Sequence, residues 1–436
     1  MAGNAPRTGA NQAAGHVSTR RHNLAVVLSH LRRAGPRSRA KVAEETGLNR
    51  ATVSSLVADL KRRDLVAEGP TERGGVGRPG QVIELDGRRV WAIGAEVNVG
   101  FVAALAMNLR GEVGPRSRLF LDTARLSPEE VLTRLCDAVW RAMPADPGGD
   151  VVPVGLAVAV PGLVDRTSGL VTFAPNLGWR SVPLVDTLRG LLEEPPYPVV
   201  LGNDASFAAL AELQPRRPAG TDLLLVTGMA GVGGGVVADG RLLRGGRGFA
   251  GEVGHVQVDP GGRPCACGRR GCWETLVGLH ALLADAADPD DWVRDTSIGV
   301  EARLAEVVRR AAAGDDRTID AITHVGSWLG VGAGTLVDVL NPDVLVLGGY
   351  YGALATWLSG VVRRSLEANT FARGAGGCTV EFSTLGFEGP LRGGAQAVLE
   401  GIFEDPTVVR QVRDMAAPSV VVGDRFETTL RQLTWR

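Results

Sequence analysis

Residues 90–113 read VWAIGAEVNVGFVAALAMNLRGEV, and residues 222–243 read DLLLVTGMAGVGGGVVADGRLL. Each is an apolar run, a short turn and a second apolar run. The pattern predicts strands joined by tight turns. In the first stretch residues 108–111 lead into a third strand, and in the second the Asp239-Gly240 pair makes a hairpin. Helical patterns follow both: LSPEEVLTRLCDAVWRAM (126–143) after the first, and alanine-rich stretches between 274 and 372 after the second. A strand meander followed by helices, written twice, predicts an α/β body of two lobes closing on a cleft. The two copies share too little sequence to prove duplication.

A chain of 436 residues is too long for one compact core. Composition is that of a globular protein, 44% hydrophobic and 22% charged. There is no run of eighteen apolar residues, and the opening MAGNAPRTGANQAAGH lacks a signal-type apolar segment. The expectation is a cytoplasmic protein without a membrane partner. Five cysteines, three of them within eight residues, do not form a secreted disulfide framework.

The net charge of −1 hides an asymmetry: residues 1–90 carry 16 Lys+Arg against 8 Asp+Glu. A basic head on an acidic body suggests that the head meets a polyanion. Residues 1–16, rich in Gly, Ala and Asn, are expected to be a disordered tail. After the tail an amphipathic helix runs through RRHNLAVVLSHLRRAG (20–35), with Leu24, Val27, Leu28 and Leu31 on one face. Ser38 then caps a short helix ending at Thr46, Gly47 supplies a turn, and Asn49 caps a second helix to about Arg63. Ala43, small where helices approach, and Val53 and Leu56 at core positions complete a helix-turn-helix pattern. LVAEGPTERGGVGRPGQVIEL (65–85) reads as strand, Gly-rich tip and strand, a wing. Residues 17–87 are therefore expected to form a winged helix-turn-helix that binds double-stranded DNA. Asn49, Arg50, Thr52, Ser54 and Ser55 are placed for base edges in a major groove, and Arg39, Lys61, Arg73 and Arg78 for phosphates or an adjacent minor groove.

Seven stretches of the body resemble the ROK family of repressors and sugar kinases: VPGLVD (160–165), APNLGW (174–179), GNDASFAALAE (202–212), GVGGGVV (231–237), GEVGH (251–255), CACGRRGCWE (265–274) and LNPDVLVLGG (340–349). They occur in the family's order across residues 90–402. With the winged head, they resemble its NagC/XylR-type regulators. The resemblance implies an actin-like ATPase fold, the duplicated ribonuclease H-like architecture, for this body. It leaves residues 403–436 as an extension without an assigned role.

A hexose pocket needs convergent carboxylates and amides on rigid supports. Asn176, Asn203, Asp204, Glu252 and Glu274 have those types and match the family's sugar-contact positions, with His255 as a sixth. For an Asn-Asp pair alone, a helix cap is the simpler reading. In family kinases the position of Asp204 holds the general base, but a carboxylate there also serves plain sugar binding. The family's first phosphate motif, D-x-G-G-T, aligns with Glu96-Val97-Asn98-Val99-Gly100 here, which departs from it at the aspartate, one glycine and the Gly-Thr pair. Phosphoryl transfer is accordingly not expected. Gly348 and Gly349 persist near the expected adenosine region, as glycines do for folding reasons alone.

Cys265, Cys267 and Cys272 with His255 make a Cys3His set. That set suits a closed tetrahedral zinc site, while the absence of C-x-x-C argues against a redox device; metal-free buried thiols are the simpler alternative. The resemblance implies the same structural Zn2+. Cys136, Cys378, His280 and His324 are expected to be packing or surface residues. The whole predicts a sugar-responsive DNA-binding regulator, a repressor by family likeness, acting as a homodimer or dimer of dimers on an operator. Its effector would be a sugar or sugar phosphate. The rival is an ATP-dependent sugar kinase with an appended DNA-binding head.

Overall fold

A computed structural model describes residues 8–71, 81–145, 151–216, 221–371 and 377–409. The head contains α1 (Thr8–Ala34), β1 (Arg37–Ser38), α2 (Arg39–Thr46), α3 (Arg50–Arg62), β2 (Val66–Thr71) and β3 (Gln81–Leu85). Ser38 Oγ accepts from the Lys41 amide and Asn49 Oδ1 from the Thr52 amide, while Gly47 at φ 73° ends α2, so both helices start and stop where their caps dictate. Leu24, Val27, Leu28 and Leu31 are buried against Val42, Val53 and Leu56. The three strands form one sheet in the order β1-β3-β2, which is the wing; its tip, with Arg73 and Arg78, lies outside the described residues.

The first expectation to be corrected is the tail: residues 8–16, expected to be disordered, form the start of α1. No proline interrupts the chain between Pro6 and Pro36, and the alanines favour helix where overall composition suggested disorder.

The first lobe holds β4 (Val90–Val97), β5 (Phe101–Asn108), β6 (Val113–Phe120), α4 (Pro128–Ala142), β7 (Val152–Val160), α5 (Leu184–Leu191), β11 (Val199–Asn203) and α6 (Asp204–Leu213). A small antiparallel sheet, β8 (Leu163–Asp165), β9 (Leu170–Ala174) and β10 (Trp179–Val182), sits beside them. The second lobe holds β12 (Leu223–Gly228), β13 (Val232–Ala238), β14 (Arg241–Leu242), α7 (Glu274–Val277), α8 (Leu279–Ala286), α9 (Val300–Ala312), α10 (Asp316–Leu340), β15 (Val344–Gly349), α11 (Tyr350–Ala353), α12 (Ala355–Asn369) and β16 (Thr379–Phe382). Helix α13 (Gly389–Glu404) then returns to the first lobe.

The two main sheets have the orders β11-β7-β4-β5-β6 and β14-β13-β12-β15-β16. In both, the first three strands form an antiparallel meander and two later strands add parallel to its first strand. The same topology occurs twice, which the sequence could only suggest.

The strands of the first lobe are apolar on both faces because both are covered. Ile93, Ala95, Val102 and Ala104 face α4 and α5, whereas Ala92, Ala103 and Leu105 face α13. Along β7 the alternation slips, with Val152 and Val154 on the side that Ala157 and Ala159 occupy. A bulge opposite Trp91 and Ala92 inserts the extra residue.

Helix α13 runs through residue 404, so the boundary expected at 402 falls inside it; its apolar face continues through Ile402 and Phe403. Val408 and Val409 extend the same core to the head. Arg32 makes two hydrogen bonds to Glu400 (2.9 and 3.2 Å) and stacks 3.9 Å from the Phe403 ring centre. Arg63 donates to the Thr407 and Val409 carbonyls. Head and first lobe thus share one hydrophobic core, with α13 as the common element.

Candidate sugar pocket and metal centre

The turns that end β4 and β12 meet across the cleft between the lobes. Around them lies a cavity of about 310 Å3, lined on the first lobe by Asn98, Val99, Asn176, Asn203 and Asp204 and on the second by Gly231, Glu252, His255, Arg269 and Glu274. All six residues expected for a sugar pocket are therefore brought together, Asn176 and Asn203 from positions 27 apart in the chain. The volume is at the lower end of the roughly 300–1,000 Å3 typical of small-molecule pockets.

The members differ in what they have left to offer. Asn203 Oδ1 accepts from the Ser206 amide as the N-cap of α6, and its Nδ2 donates to the Gly162 carbonyl at 3.2 Å. The helix-cap reading is thus right for this residue, which also lines the cavity. Asp204, the first residue of α6, accepts from the Ala205 amide through Oδ1 at 2.8 Å, leaving Oδ2 for the cavity. Burial pushes the Asp204 carboxyl above its ordinary range. Burial, with Asp204 and Glu274 nearby, pushes Glu252 up to about 7. A cluster of carboxyls with few cations holds protons readily and can both donate to and accept from sugar hydroxyls.

Glu96 belongs to the same electrostatic cluster. It is fully buried; Asn98 Nδ2 donates to its Oε1 at 2.7 Å, and Oε2 has no partner among the described residues. Burial, partly offset by Asn98 and reinforced by Asp204, pushes it up to about 8.

The ligand atoms of His255, Cys265, Cys267 and Cys272 all lie within 4.8 Å of one another. Cys267 Sγ and Cys272 Sγ are 3.6 Å apart, and Cys265 Sγ is 3.6 Å from His255 Nδ1. Ligands about 2.0–2.3 Å from a tetrahedral zinc stand roughly 3.3–3.8 Å apart, so the donor set fits that ion. Gly271 carries φ 66°, and a Cβ there would overlap the Asp259 carbonyl, so only glycine lets the knuckle close. No disulfide joins the cysteines. His255 turns Nδ1 toward the cluster and places Nε2 4.0 Å from Glu252 Oε2, while Glu274 Oε1 lies 2.8 Å from Cys265 Sγ. The Cys3His group and the cavity therefore share a wall.

In the region where the resemblance expects adenosine, Gly348 and Gly349 are followed by Tyr350 and Tyr351, both fully buried. Their rings are 4.4 Å apart, and both hydroxyls donate to the Val277 carbonyl, at 2.7 and 2.8 Å. They pack against Gly228, where a Cβ would overlap both rings. The pair is plain in the sequence, but only the fold shows that it packs on Gly228 and the Val277 carbonyl.

In the head, α3 exposes Arg50, Ser54 and Ser55, whereas Thr52 is half-buried. Asn49 spends its Oδ1 on the cap, and Ser54 Oγ donates to the Arg50 carbonyl. Arg39 and Lys61 both pair with Glu68, each at 2.9 Å. Cys136 is buried, Cys378 half-buried and His324 exposed. His280 is exposed but lines a second cavity.

Comparison with known proteins fits this geometry. The ROK family profile matches residues 96–400, and a MarR family profile matches residues 25–75. The chain belongs to the ROK family. It is 27% identical over 383 residues to the xylose repressor of Bacillus spizizenii, covering 88% of this chain and 96% of that protein. It is 31% identical over 276 residues to a glucokinase of Halalkalibacterium halodurans, covering 62% of this chain and 83% of the enzyme. Among solved structures, a ROK family transcriptional regulator homologous to the E. coli MLC protein shares the fold, with a TM-score of 0.69, 22% identity, and coverage of 88% of this chain and 97% of that one. The repressor match includes the winged head; the glucokinase match spans the smaller share. No helix among the described residues is long and apolar enough to cross a membrane.

Proposed function

We propose that this ROK protein is a sugar-responsive transcriptional repressor of the cytoplasm. Its winged head binds an operator, and its cleft binds a sugar effector through Asn176, Asn203, Asp204, Glu252, His255 and Glu274. The observation that carries the reading is continuity of packing from pocket to head. Asp204 begins α6; α6 packs on α13, where Gly393 lies so close to Phe207 that a Cβ would overlap its carbonyl. Helix α13 in turn holds the head through Glu400 and Phe403. A sugar that draws the lobes together shifts α6 and α13 and so re-poses the head, provided that it binds the closed state more tightly. Two heads on a pseudo-palindromic operator call for a homodimer or a dimer of dimers.

In the head, Arg50, Ser54 and Ser55 are the exposed group for the major groove; Asn49 contributes through its Nδ2 and Thr52 from the helix edge. Arg39 and Lys61, held by Glu68, meet phosphate on one flank, with Arg73 and Arg78 assigned to the wing.

The Cys3His group would hold a structural Zn2+, whose role is to fix the loop that carries Glu252 and Glu274. With Nδ1 on a metal, the His255 proton resides on Nε2 and faces the cavity.

Catalysis is not part of this reading. An amide-bound Glu96 pushed up to about 8 is a poor partner for Mg2+.

The test titrates xylose, glucose and N-acetylglucosamine against the complex of the full-length protein with its own promoter DNA, followed by fluorescence anisotropy. One sugar is expected to release the DNA. Sugar-dependent ADP formation from ATP, measured on the same preparation, would overturn the non-enzymatic reading.

A further inference from the structure

The head is joined to the first lobe in two places, and the two joints differ in kind. One is the face that α1 shares with α13, where Leu24, Val27, Leu28 and Leu31 belong to one apolar core with Ile402 and Phe403. Its polar contacts run mostly through long arginines: Arg21 to Asp405 at 3.5 Å, Arg32 to Glu400, and Arg63 to two carbonyls. Ser29 Oγ adds one donation to the Phe403 carbonyl at 3.4 Å. Apolar contacts have no preferred direction and arginine stems are flexible, so such a face can slide by about 1–2 Å and keep its contacts.

The other joint is the linker of residues 86–89, which runs from β3 of the head to β4 of the lobe and is gripped by the turn between β5 and β6. Asn108, 2% exposed, ends β5. Its Nδ2 donates to the Gly87 carbonyl and to Glu112 Oε2, both at 2.7 Å, and its Oδ1 accepts from the Arg110 and Glu112 amides at 2.9 and 3.1 Å. All four hydrogen-bonding positions of the amide are filled, which fixes its orientation and its distance from the linker. A Cβ on Gly87 would stand 2.8 Å from that Nδ2, so only glycine permits the approach. Arg110 reaches past the linker into the head itself: Nε donates to the Leu85 carbonyl at 2.8 Å, and Nη2 pairs with Glu84 at 2.9 Å. Arg89 pairs with Asp64, just after α3, at 3.2 Å, while its carbonyl accepts from the Val152 amide at the start of β7.

This joint is continuous with the sugar pocket. Strands β4 and β5 form one hairpin, and β5 is buried along its whole length. At one end the turn of Asn98 and Val99 lines the first cavity; at the other, about 27 Å away over a strand of eight residues, Asn108 holds the linker. We propose that Asn108 and Arg110 are positioning residues that make the β5–β6 turn a fixed pivot, about which the head swings when α13 slides against α1. Closure of the lobes then changes the pose of α3 without moving the joint itself. The inference rests on the proposal that a sugar re-poses the head, and it adds the axis of that motion.

The experiment uses full-length, zinc-loaded protein, its own promoter DNA, and xylose, glucose and N-acetylglucosamine in turn. Sugar affinity is read by calorimetry, operator affinity by fluorescence anisotropy, and amide hydrogen exchange by mass spectrometry. In the wild type, the sugar that releases DNA should change exchange across residues 24–33 and 398–409 and leave residues 84–91 and 108–113 as they were. In Asn108→Ala the head loses its preset pose, so operator affinity without sugar should fall at least about fivefold. Sugar should then shift that affinity by less than about twofold, against about 5- to 150-fold for an allosteric coupling of ordinary size, while sugar affinity itself stays within about twofold of wild type. Arg110→Met, which releases Glu84 and Leu85 but leaves the Asn108 amide in place, should show the same signature more weakly, and it carries the test if Asn108→Ala does not fold. A merely structural asparagine would lower the melting temperature and leave operator affinity and sugar response intact, which overturns the proposal. Equal changes of exchange at the joint and along α13 overturn it too. If no sugar releases the wild-type complex, the sugar reading fails by itself, and the sugar-free operator affinity of the variants still decides for or against the pivot.

Discussion

The two cavities touch at the same pair of turns, yet they differ in charge. The first is walled by Asp204, Glu252 and Glu274, with Glu96 behind it; the second has Arg303 on its wall. Carboxyls crowded together relieve their repulsion by holding protons, which suits the first cavity to the hydroxyl groups of a sugar.

The largest expected effect separates the cavities by their supports. The first cavity shares a wall with the Cys3His group, and the second does not. Cys272→Ser, or a strong chelator, should lower the melting temperature by roughly 10 °C and remove the sugar response, while sugar-free DNA binding persists. Parallel melting curves and DNA titrations check this, and a sugar response that survives in demonstrably zinc-free protein breaks the bracing role. Next, Asp204→Asn should weaken sugar binding about 10- to 100-fold, measured by calorimetry, and leave sugar-free operator affinity unchanged. Undiminished sugar binding would erase the distinction between the two cavities.

The smallest effect is a pH dependence. Glu96 has a folded pKa of about 8 against an ordinary 4.5, so the folded state keeps a proton that the unfolded state releases. Its contribution to stability therefore falls as pH rises from 4.5 to 8 and stays low above that range. Glu96→Gln should flatten this decline and stabilise the protein at pH 9 by about 1–3 kcal/mol, measured by urea unfolding across pH. An unchanged profile would remove Glu96 from the carboxyl cluster.

Much of the chain was legible beforehand because local rules governed it. Ser38, Gly47 and Asn49 act through neighbours within three residues, so the helix-turn-helix could be read from spacing. The Cys3His set lies within eighteen residues and needed only ligand chemistry. The N-terminal tail was misread because composition was weighed over helix propensity, and α13 was cut short at 402 because its last turn is buried by the head, a contact that the sequence does not display. Asn108 resembles any asparagine at a turn until the linker that it holds is known.

By itself, the sequence determined the elements, the two-lobed α/β plan, the capped helices of the head and the residue types gathered around a cleft. Those depend on periodicity, caps and ligand spacing, all short-range properties of the chain. Tertiary structure alone decided that both sheets share one strand order, that Tyr350 and Tyr351 fill the space beside Gly228, and that α13 joins pocket to head. Each of these depends on which distant segments exclude one another from the same volume, and on which charges are left together once water has been removed.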